Sequence, residues 1–296
     1  MEELNDILQR LEPSLGPPGG EPTALEGGIT NRNFKATFGG KDYVIRLHGR
    51  DTALLGIDRE AELLASEAAA RLGIAPAVAA ALEGCLVTRF VACRPVASGE
   101  IAERVEELAR ALRAFHDSAV GLPASFRVPA LLEEYAGIAR ERGATLPSAY
   151  AGTVAVAGRI AAALAPGPPR PCHNDLLPGN VIAAEEDGRL MIVDWEYAGM
   201  GDPRFDLGNM SVNNGFEEAD DDRLLAAYHG EPPTDGRRAA LKLMRVLSDA
   251  REAAWAVVQG VVSELDFDFE GYGRDHFERL LAVAEQPSFG EWLAAA

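Results

Sequence analysis

Cysteine is scarce in this 296-residue sequence, and its few occurrences do not form a recognisable framework. Cys85, Cys93 and Cys172 are an odd number, lie far apart and include no CxxC pair. Disulfide scaffolds and zinc ribbons need paired or closely spaced cysteines. The sequence therefore predicts a protein of the reducing cytoplasm.

Long apolar runs are also lacking. No stretch approaches the roughly 18–20 consecutive apolar residues that a membrane-spanning helix needs. Residues 1–15 are charged and amphipathic, without the apolar core of a signal peptide. We expect no membrane insertion.

Basic residues are outnumbered by acidic ones. The 28 Lys and Arg residues against 46 Asp and Glu residues give a net charge of −18 at pH 7. A surface of that sign repels a phosphate backbone, which argues against a nucleic acid partner. It suits a cationic small molecule, whereas it says nothing about oligomeric state.

The pattern of strand-like and helical segments divides the chain into two parts. In residues 1–92, strand-like runs at 34–38 and 43–47 flank Gly39-Gly40 and predict a β-hairpin. Asp58 is placed to cap a following helix, and two more strand-like runs occupy 77–82 and 85–91. The helix carries an apolar stripe that we expect to face the core, formed by Leu63, Leu64, Ala68 and Leu72.

Helical periodicity dominates residues 93–296. The clearest segments are 101–116, 154–164, 239–265 and 273–284. They are interrupted at 171–194 by a stretch with strand character and a dense group of polar residues. The pattern predicts an α+β fold with a small N-terminal lobe, 1–92, and a larger, mainly helical lobe, 93–296.

The interrupting stretch carries the chemistry. CHNDLLPGN occupies 172–180, and LMIVDWEYAG occupies 190–199. Asp194 ends an apolar strand, and Asp175 and Asn180 lie in the loop before it, so the three side chains can meet at one edge. Phosphoryl transfer needs such a set, because a carboxylate must orient the attacking hydroxyl and a metal needs hard oxygen ligands.

These motifs resemble the catalytic core of the aminoglycoside phosphotransferase and choline kinase superfamily, relatives of protein kinases. HNDLLPGN and VDWEYAGMGDPRFDLGN are most similar to bacterial choline/ethanolamine kinase-like proteins. The resemblance implies a bilobal protein-kinase-like fold that uses ATP and Mg²⁺. It also implies Asp175 as catalytic base, Asn180 and Asp194 as magnesium ligands, and His173 and Asp206 as structural support.

The same resemblance extends to the nucleotide. LEGGITNRNF, 25–34, lies where the family has its phosphate-covering loop, although the P-loop signature is absent. Arg46 stands where protein kinases carry a lysine, and Glu62 is its expected partner ahead of Glu60 and Glu67. The nucleotide-binding residues that the resemblance implies are Gly28, Thr30, Asn31, Arg46, Glu62, Arg89, Phe90 and Val91.

The acceptor pocket is expected among the helices after Gly199. Aromatic faces and carboxylates would hold an ammonium group, so an amino alcohol such as choline or ethanolamine comes first, and thiamine or an aminoglycoside second. A tryptophan at helical spacing is also typical of a protein core. The candidate substrate residues are Glu196, Tyr197, Asp249, Glu252 and Trp255.

Two other classes of function remain open. A metal-dependent hydrolase could use His173, Asp175, Asp194 and Asp206 around a water molecule, and would not need Arg46. A catalytically silent nucleotide-binding protein would keep the kinase shape without turnover. A protein kinase is disfavoured, because neither DFG nor APE follows Asp194.

Overall fold

The computed structural model of the chain describes residues 2–25, 31–49, 51–263 and 265–296. The helices within these ranges are α1 (Glu2–Leu15), α2 (Arg59–Arg71), α3 (Ser98–Glu103), α4 (Val105–His116), α5 (Val128–Glu141), α6 (Ala149–Ala163), α7 (Pro203–Asn213), α8 (Glu218–His229), α9 (Asp235–Val262), α10 (Phe269–Ala284) and α11 (Pro287–Ala295). The strands are β1 (Thr23–Leu25), β2 (Arg32–Phe38), β3 (Lys41–Leu47), β4 (Val78–Leu82), β5 (Cys85–Arg89), β6 (Cys93–Pro95), β7 (Arg170–Cys172), β8 (Val181–Ala184), β9 (Leu190–Ile192) and β10 (Gly199–Gly201).

The N-terminal part is a five-stranded antiparallel sheet in the order β1-β2-β3-β5-β4. The predicted hairpin is confirmed as β2–β3, and both turn glycines, Gly39 and Gly40, have positive φ. Along β3 the side chains alternate, so Ile45 and Leu47 are buried under α1 while Arg46 projects from the opposite face. The alternation of side chains along β3 therefore directs Arg46 away from the core and towards the candidate active site.

The helix α2 begins where it was predicted to begin. The Asp58 side chain accepts hydrogen bonds from the backbone N–H groups of Glu60 and Ala61, at 2.9 and 3.0 Å. The expected apolar stripe is only partly buried, because Ala68 is buried whereas Leu63 and Leu64 are half-buried and Leu72 is 41% exposed. The buried face consists of smaller residues, which let α2 approach the second lobe closely: Ala61, Ala65, Ala68 and Ala69.

The long helix α9 is the centre of the helical part, and α5, α6, α7, α10 and α11 pack around it. The predicted helices are present with shifted ends, so that the segment predicted at 239–265 is Asp235–Val262. The segment predicted at 101–116 is divided into α3 and α4 at Arg104, which leaves helical geometry. No helix in the described ranges is both long and apolar enough to span a bilayer.

Short strands hold the polar stretch between the two parts. β6, β8 and β9 form a three-stranded antiparallel sheet, and β7 pairs with β10. β7 leads into the loop 173–177, and a 3-10 turn at Pro178–Asn180 leads into β8. The α+β architecture predicted from the sequence is confirmed.

Candidate active site

The loop after β7 brings Asp175 and Asn180 into contact. The Asn180 amide nitrogen donates to the Asp175 backbone carbonyl at 2.7 Å and to its carboxylate Oδ2 at 3.1 Å. The 3-10 turn beginning at Pro178 makes this possible, because it reverses the chain within five residues. A carboxylate and a carboxamide therefore meet at one point of the cleft.

Asp194 lies at the same end of the β8–β9 ladder. The backbone N–H of Val193 donates to the Asn180 carbonyl at 2.9 Å, which places Asp194 beside the start of β8. Asp194 has a φ of 67°, and Asn174 has one of 68°. Left-handed backbone at non-glycine residues is uncommon and concentrates at functional sites. The Asp194 side chain is about a quarter exposed, and its carboxylate accepts a hydrogen bond from Arg46.

His173 supports the loop as a neutral imidazole. Its Nε2 donates to the Val193 carbonyl at 3.0 Å, so its Nδ1 accepts from the backbone N–H of Asp175 at 3.2 Å. Burial lowers the pKa of His173 to about 4, which keeps the imidazole neutral at physiological pH.

Asp206 is a buried acceptor behind the same loop. Its carboxylate accepts from the backbone N–H groups of His173 and Asn174, at 2.8 and 2.7 Å, and from His116 Nε2 at 2.9 Å. Burial alone would raise the pKa of Asp206, but the hydrogen bonds and the neighbouring histidines hold it below its ordinary value. His116, Cys172 and Asp206 lie close enough to suggest a metal site, yet the Asp206 oxygens are committed to donors of the loop. The cluster therefore fits a structural role.

Arg46 connects the sheet to α2 and to Asp194. One of its terminal nitrogens lies 3.3 Å from Glu62 Oε1, and the other donates to Asp194 Oδ1. The pairing of Arg46 with Glu62, rather than with Glu60 or Glu67, is thus present in the fold. All three groups lie at the junction of the two parts of the chain.

Arg59 is a second cation at this junction. Its Nη1 lies 2.7 Å from Glu62 Oε2 and 3.2 Å from Glu196 Oε2. Its Nη2 donates to Asn31 Oδ1 at 3.2 Å and to Thr52 Oγ1 at 3.1 Å. Arg59 therefore ties α2 to the segment that follows Asp194.

The other residues expected at the nucleotide are placed differently. Gly28 and Thr30 lie outside the described residues. The Asn31 carboxamide donates to Glu196 at 2.8 Å, so it belongs to the Arg59 network. The amides of Arg89 and Phe90 donate to the carbonyls of Ala77 and Asp42, at 2.8 and 3.0 Å. Among the described residues, the Val91 amide has no protein carbonyl partner.

Asp175 is enclosed by charges of both signs. Arg251 Nη1 donates to its Oδ1 at 3.1 Å. Burial raises the pKa of Asp175 to about 7, with Arg251 opposing the rise and Glu252 and Glu196 adding to it. A carboxylate that titrates near neutral pH is suited to accepting a proton.

The expected acceptor residues separate into four groups. Glu196 lies apart from the other residues and accepts hydrogen bonds from Asn31 and Arg59. Tyr197 and Glu252 lie around Arg251, close to Asp175. Trp255 is buried, packs against aromatic rings of α10 and donates from Nε1 to the Tyr197 hydroxyl at 2.8 Å. Asp249 points the other way, towards His276 and Arg279 of α10.

Three functional side chains were not predicted. Arg251 lies between Asp249 and Glu252 in a stretch of α9 where only carboxylates and an aromatic ring were expected at the substrate, so the arginine itself was overlooked. Arg59 and His116 lie outside that stretch. Their roles depend on Glu196 and Asp206, which lie 137 and 90 residues away along the chain.

This arrangement identifies a class of protein. It combines a sheet part, a helical part and a polar loop that carries Asp175 and Asn180 beside Asp194. A model of the phosphotransferase enzyme family matches residues 21–241, and the chain belongs to that family.

The chain also resembles individual proteins. The chain is similar to the crystal structure of a choline/ethanolamine kinase family protein from Mesorhizobium loti, with 30% identity and a TM-score of 0.82, over 99% of this chain and 98% of that one. The structure of the choline kinase LicA from Streptococcus pneumoniae shares the fold, with 23% identity and a TM-score of 0.76 over the full length of both chains. Protein LicA of Haemophilus influenzae is 28% identical over 120 residues, which are 40% of this chain and 44% of that protein. The matched segment spans less than half the length of that curated relative.

Proposed function

We propose that the protein is an ATP-dependent kinase that phosphorylates a hydroxyl group of a small molecule, an amino alcohol of the choline or ethanolamine type. The observation that carries the proposal is the contact of Asn180 with Asp175, formed beside Asp194 and its partner Arg46. Membership of the phosphotransferase family supports the reaction type.

In the proposed reaction, Asp175 acts as the catalytic base. The acceptor oxygen forms a bond to the γ-phosphorus of ATP while the bond from that phosphorus to the bridging oxygen breaks. The hydroxyl proton passes to Asp175, and the products are ADP and a phosphate monoester. The raised pKa of Asp175, about 7, supports this role because the group can accept a proton near neutral pH.

Asn180 and Asp194 are the residues that would hold Mg²⁺. Their donor atoms are carboxylate and carboxamide oxygens, which are the hard ligands that this ion prefers, and the Asp194 side chain is about a quarter exposed. When bound, Mg²⁺ supplies neutralisation of the phosphate charge. His173 and Asp206 hold the backbone of the loop in which the base lies.

On the nucleotide side, Arg46 is proposed to contact the phosphates while Glu62 and Arg59 hold its position. Gly28 and Thr30 keep their proposed place in the phosphate-covering loop. Val91, whose amide has no carbonyl partner among the described residues, is the preferred contact for the adenine edge. The lobes would then divide near residue 92, with the nucleotide between them.

The acceptor class is supported by the likeness to a choline/ethanolamine kinase family protein. Thiamine and aminoglycosides remain the second candidates, since aminoglycoside-modifying members share the fold. A metal-dependent hydrolase would leave Arg46 and its partners without a role.

The free thiols of Cys85, Cys93 and Cys172 suit a reducing cytoplasm.

An ADP-release screen tests the proposal. The acceptors are choline, ethanolamine, thiamine, aminoglycosides, sugars and amino acids, and purified Asp175→Ala is the blank. We expect wild-type protein to release ADP with at least one acceptor and Asp175→Ala to release none while still binding nucleotide. Equal ADP release by wild type and Asp175→Ala would remove Asp175 from the mechanism. Phosphate release without any acceptor would favour the hydrolase.

A further inference from the structure

Arg251 is an arginine enclosed in the helical part, next to the proposed base. Its side chain is only 2% exposed. Its Nη1 lies 3.1 Å from Asp175 Oδ1 and 2.6 Å from Glu252 Oε1, and its guanidinium carbon lies 4.2 Å from the centre of the Tyr197 ring. Burying a charge in this way is costly unless the group is fully paired.

The guanidinium is paired on one side only. Nη1 makes both hydrogen bonds, whereas Nε and Nη2 are buried and have no partner within the described ranges. The Nε–H and one Nη2–H bond of an arginine point along the same edge of the planar group, which forms a two-pronged donor. That edge matches the two oxygens of a carboxylate.

The surrounding groups are already engaged and leave this edge as the free one. Glu252 accepts from Arg251 with Oε1 and from the Tyr272 hydroxyl with Oε2, at 3.0 Å. The face of the Tyr197 ring is covered by Arg251, so this ring face is not open to a substrate ammonium. Trp255 is buried among aromatic rings. Two of the side chains expected to form an ammonium cage, Tyr197 and Glu252, instead contact an arginine.

We propose that the free edge of Arg251 binds a carboxylate of the acceptor, so that the acceptor is an amino alcohol that also carries a carboxylate. This inference rests on the proposed function, in which the acceptor hydroxyl lies at Asp175. The unpaired edge formed by Nε and Nη2 belongs to the same guanidinium that contacts the proposed base through Nη1.

A carboxylate fits this position better than a phosphate. Asp175 and Glu252 already place two acidic groups beside one guanidinium. A doubly charged phosphate would be repelled more strongly by these two groups than a singly charged carboxylate, which still offers two acceptor oxygens to the unpaired edge. The carboxylate takes no part in bond making, so phosphoryl transfer to the hydroxyl proceeds as described above.

Matched acceptor pairs test the inference in wild-type protein. Ethanolamine is compared with L-serine, and 3-amino-1-propanol with L-homoserine, so that each pair differs only by the carboxylate. Steady-state ADP release gives kcat/KM for every compound. Charge-assisted hydrogen bonds contribute about 1.5–3 kcal/mol, so we expect the carboxylated member to be preferred by about 10- to 100-fold in kcat/KM.

Variants of Arg251 then assign the preference to the residue. Arg251→Lys keeps the charge without the two-pronged edge, and Arg251→Gln removes both. We expect the ratio within each pair to fall towards one, mainly through a higher KM for the carboxylated member. Arg279→Gln is the matched control, because Arg279 contacts the opposite face of α9 through Asp249 and should leave each ratio unchanged.

The outcomes separate the two proposals. ADP release confined to acceptors without a carboxylate, or ratios that Arg251→Lys and Arg251→Gln leave unaltered, overturns the inference and leaves the kinase proposal standing. Wild-type activity no higher than that of Asp175→Ala with every acceptor overturns the proposed function itself. Should the Arg251 variants fail to fold, the ratios of the wild-type protein decide.

Discussion

Replacing Asp175 by asparagine should abolish turnover and stabilise the protein at alkaline pH. Burial raises the pKa of this carboxyl from 3.8 to about 7 in the folded chain. A group whose folded pKa is raised contributes stability that is fully present below its unfolded pKa and is lost as pH rises through the folded value. Each pH unit between the two values corresponds to about 1.4 kcal/mol, so the loss reaches about 4 kcal/mol at pH 8.

The measurement is urea denaturation of wild type and Asp175→Asn at pH 5 and pH 8. About 2–3 kcal/mol of the loss develops between these two pH values in wild type, and asparagine removes it. The advantage of Asp175→Asn in free energy of unfolding should therefore grow by that amount at the higher pH. Asp275→Asn, which removes an exposed carboxylate of α10, is the control for loss of one charge.

The same titration should appear in the kinetics. Asp175 accepts a proton only when it is ionised, so kcat/KM of wild type should rise with pH and level off above about 7. An advantage of Asp175→Asn that stays constant from pH 5 to pH 8 would refute the reasoning, because the carboxyl would then titrate alike in the folded and unfolded chain.

Three further substitutions have expected outcomes. In Asp206→Asn, an amide N–H₂ faces groups that donate hydrogen bonds to the wild-type carboxylate. Urea denaturation should therefore show a loss of about 3 kcal/mol in the free energy of unfolding. Wild-type stability would contradict the structural role of Asp206. Arg59→Ala frees Glu62 and Glu196, so KM for ATP should rise about tenfold while KM for the acceptor stays the same; steady-state kinetics would exclude the role if both values matched wild type. Asp194→Ala should weaken magnesium-dependent nucleotide binding in a titration, and unchanged affinity would exclude Asp194 as a metal ligand.

Local features of the fold were predictable because their causes are local. A Gly39-Gly40 turn between two alternating runs produced the β2–β3 hairpin, and Asp58 capped α2 as expected. The buried face of α2 was not predictable in this way. Its large residues were expected inside, but close packing against the second lobe selected alanines. Which face of a helix is buried depends on what it meets.

The candidate site follows the same division. The contact of Asp175 with Asn180 is closed by a turn within five residues, so the motif contained its geometry. The role of Arg251 depends on the approach of α9 to a loop 76 residues earlier. The same approach of α9 places Tyr197 and Glu252 around a buried arginine, although both residues were expected to form an ammonium-binding cage.

The sequence by itself determined the motif residues, their short-range contacts and the class of fold, because turns, strand alternation and helix caps are set by neighbours along the chain. Only the tertiary structure decided which charges share the interior. Buried charges need partners, and some of these partners come from distant segments that meet only when the helices pack: Asp175 for Arg251, Glu196 for Arg59 and His116 for Asp206. The residues of the candidate site could therefore be predicted from the sequence, whereas the charged groups that surround them could not.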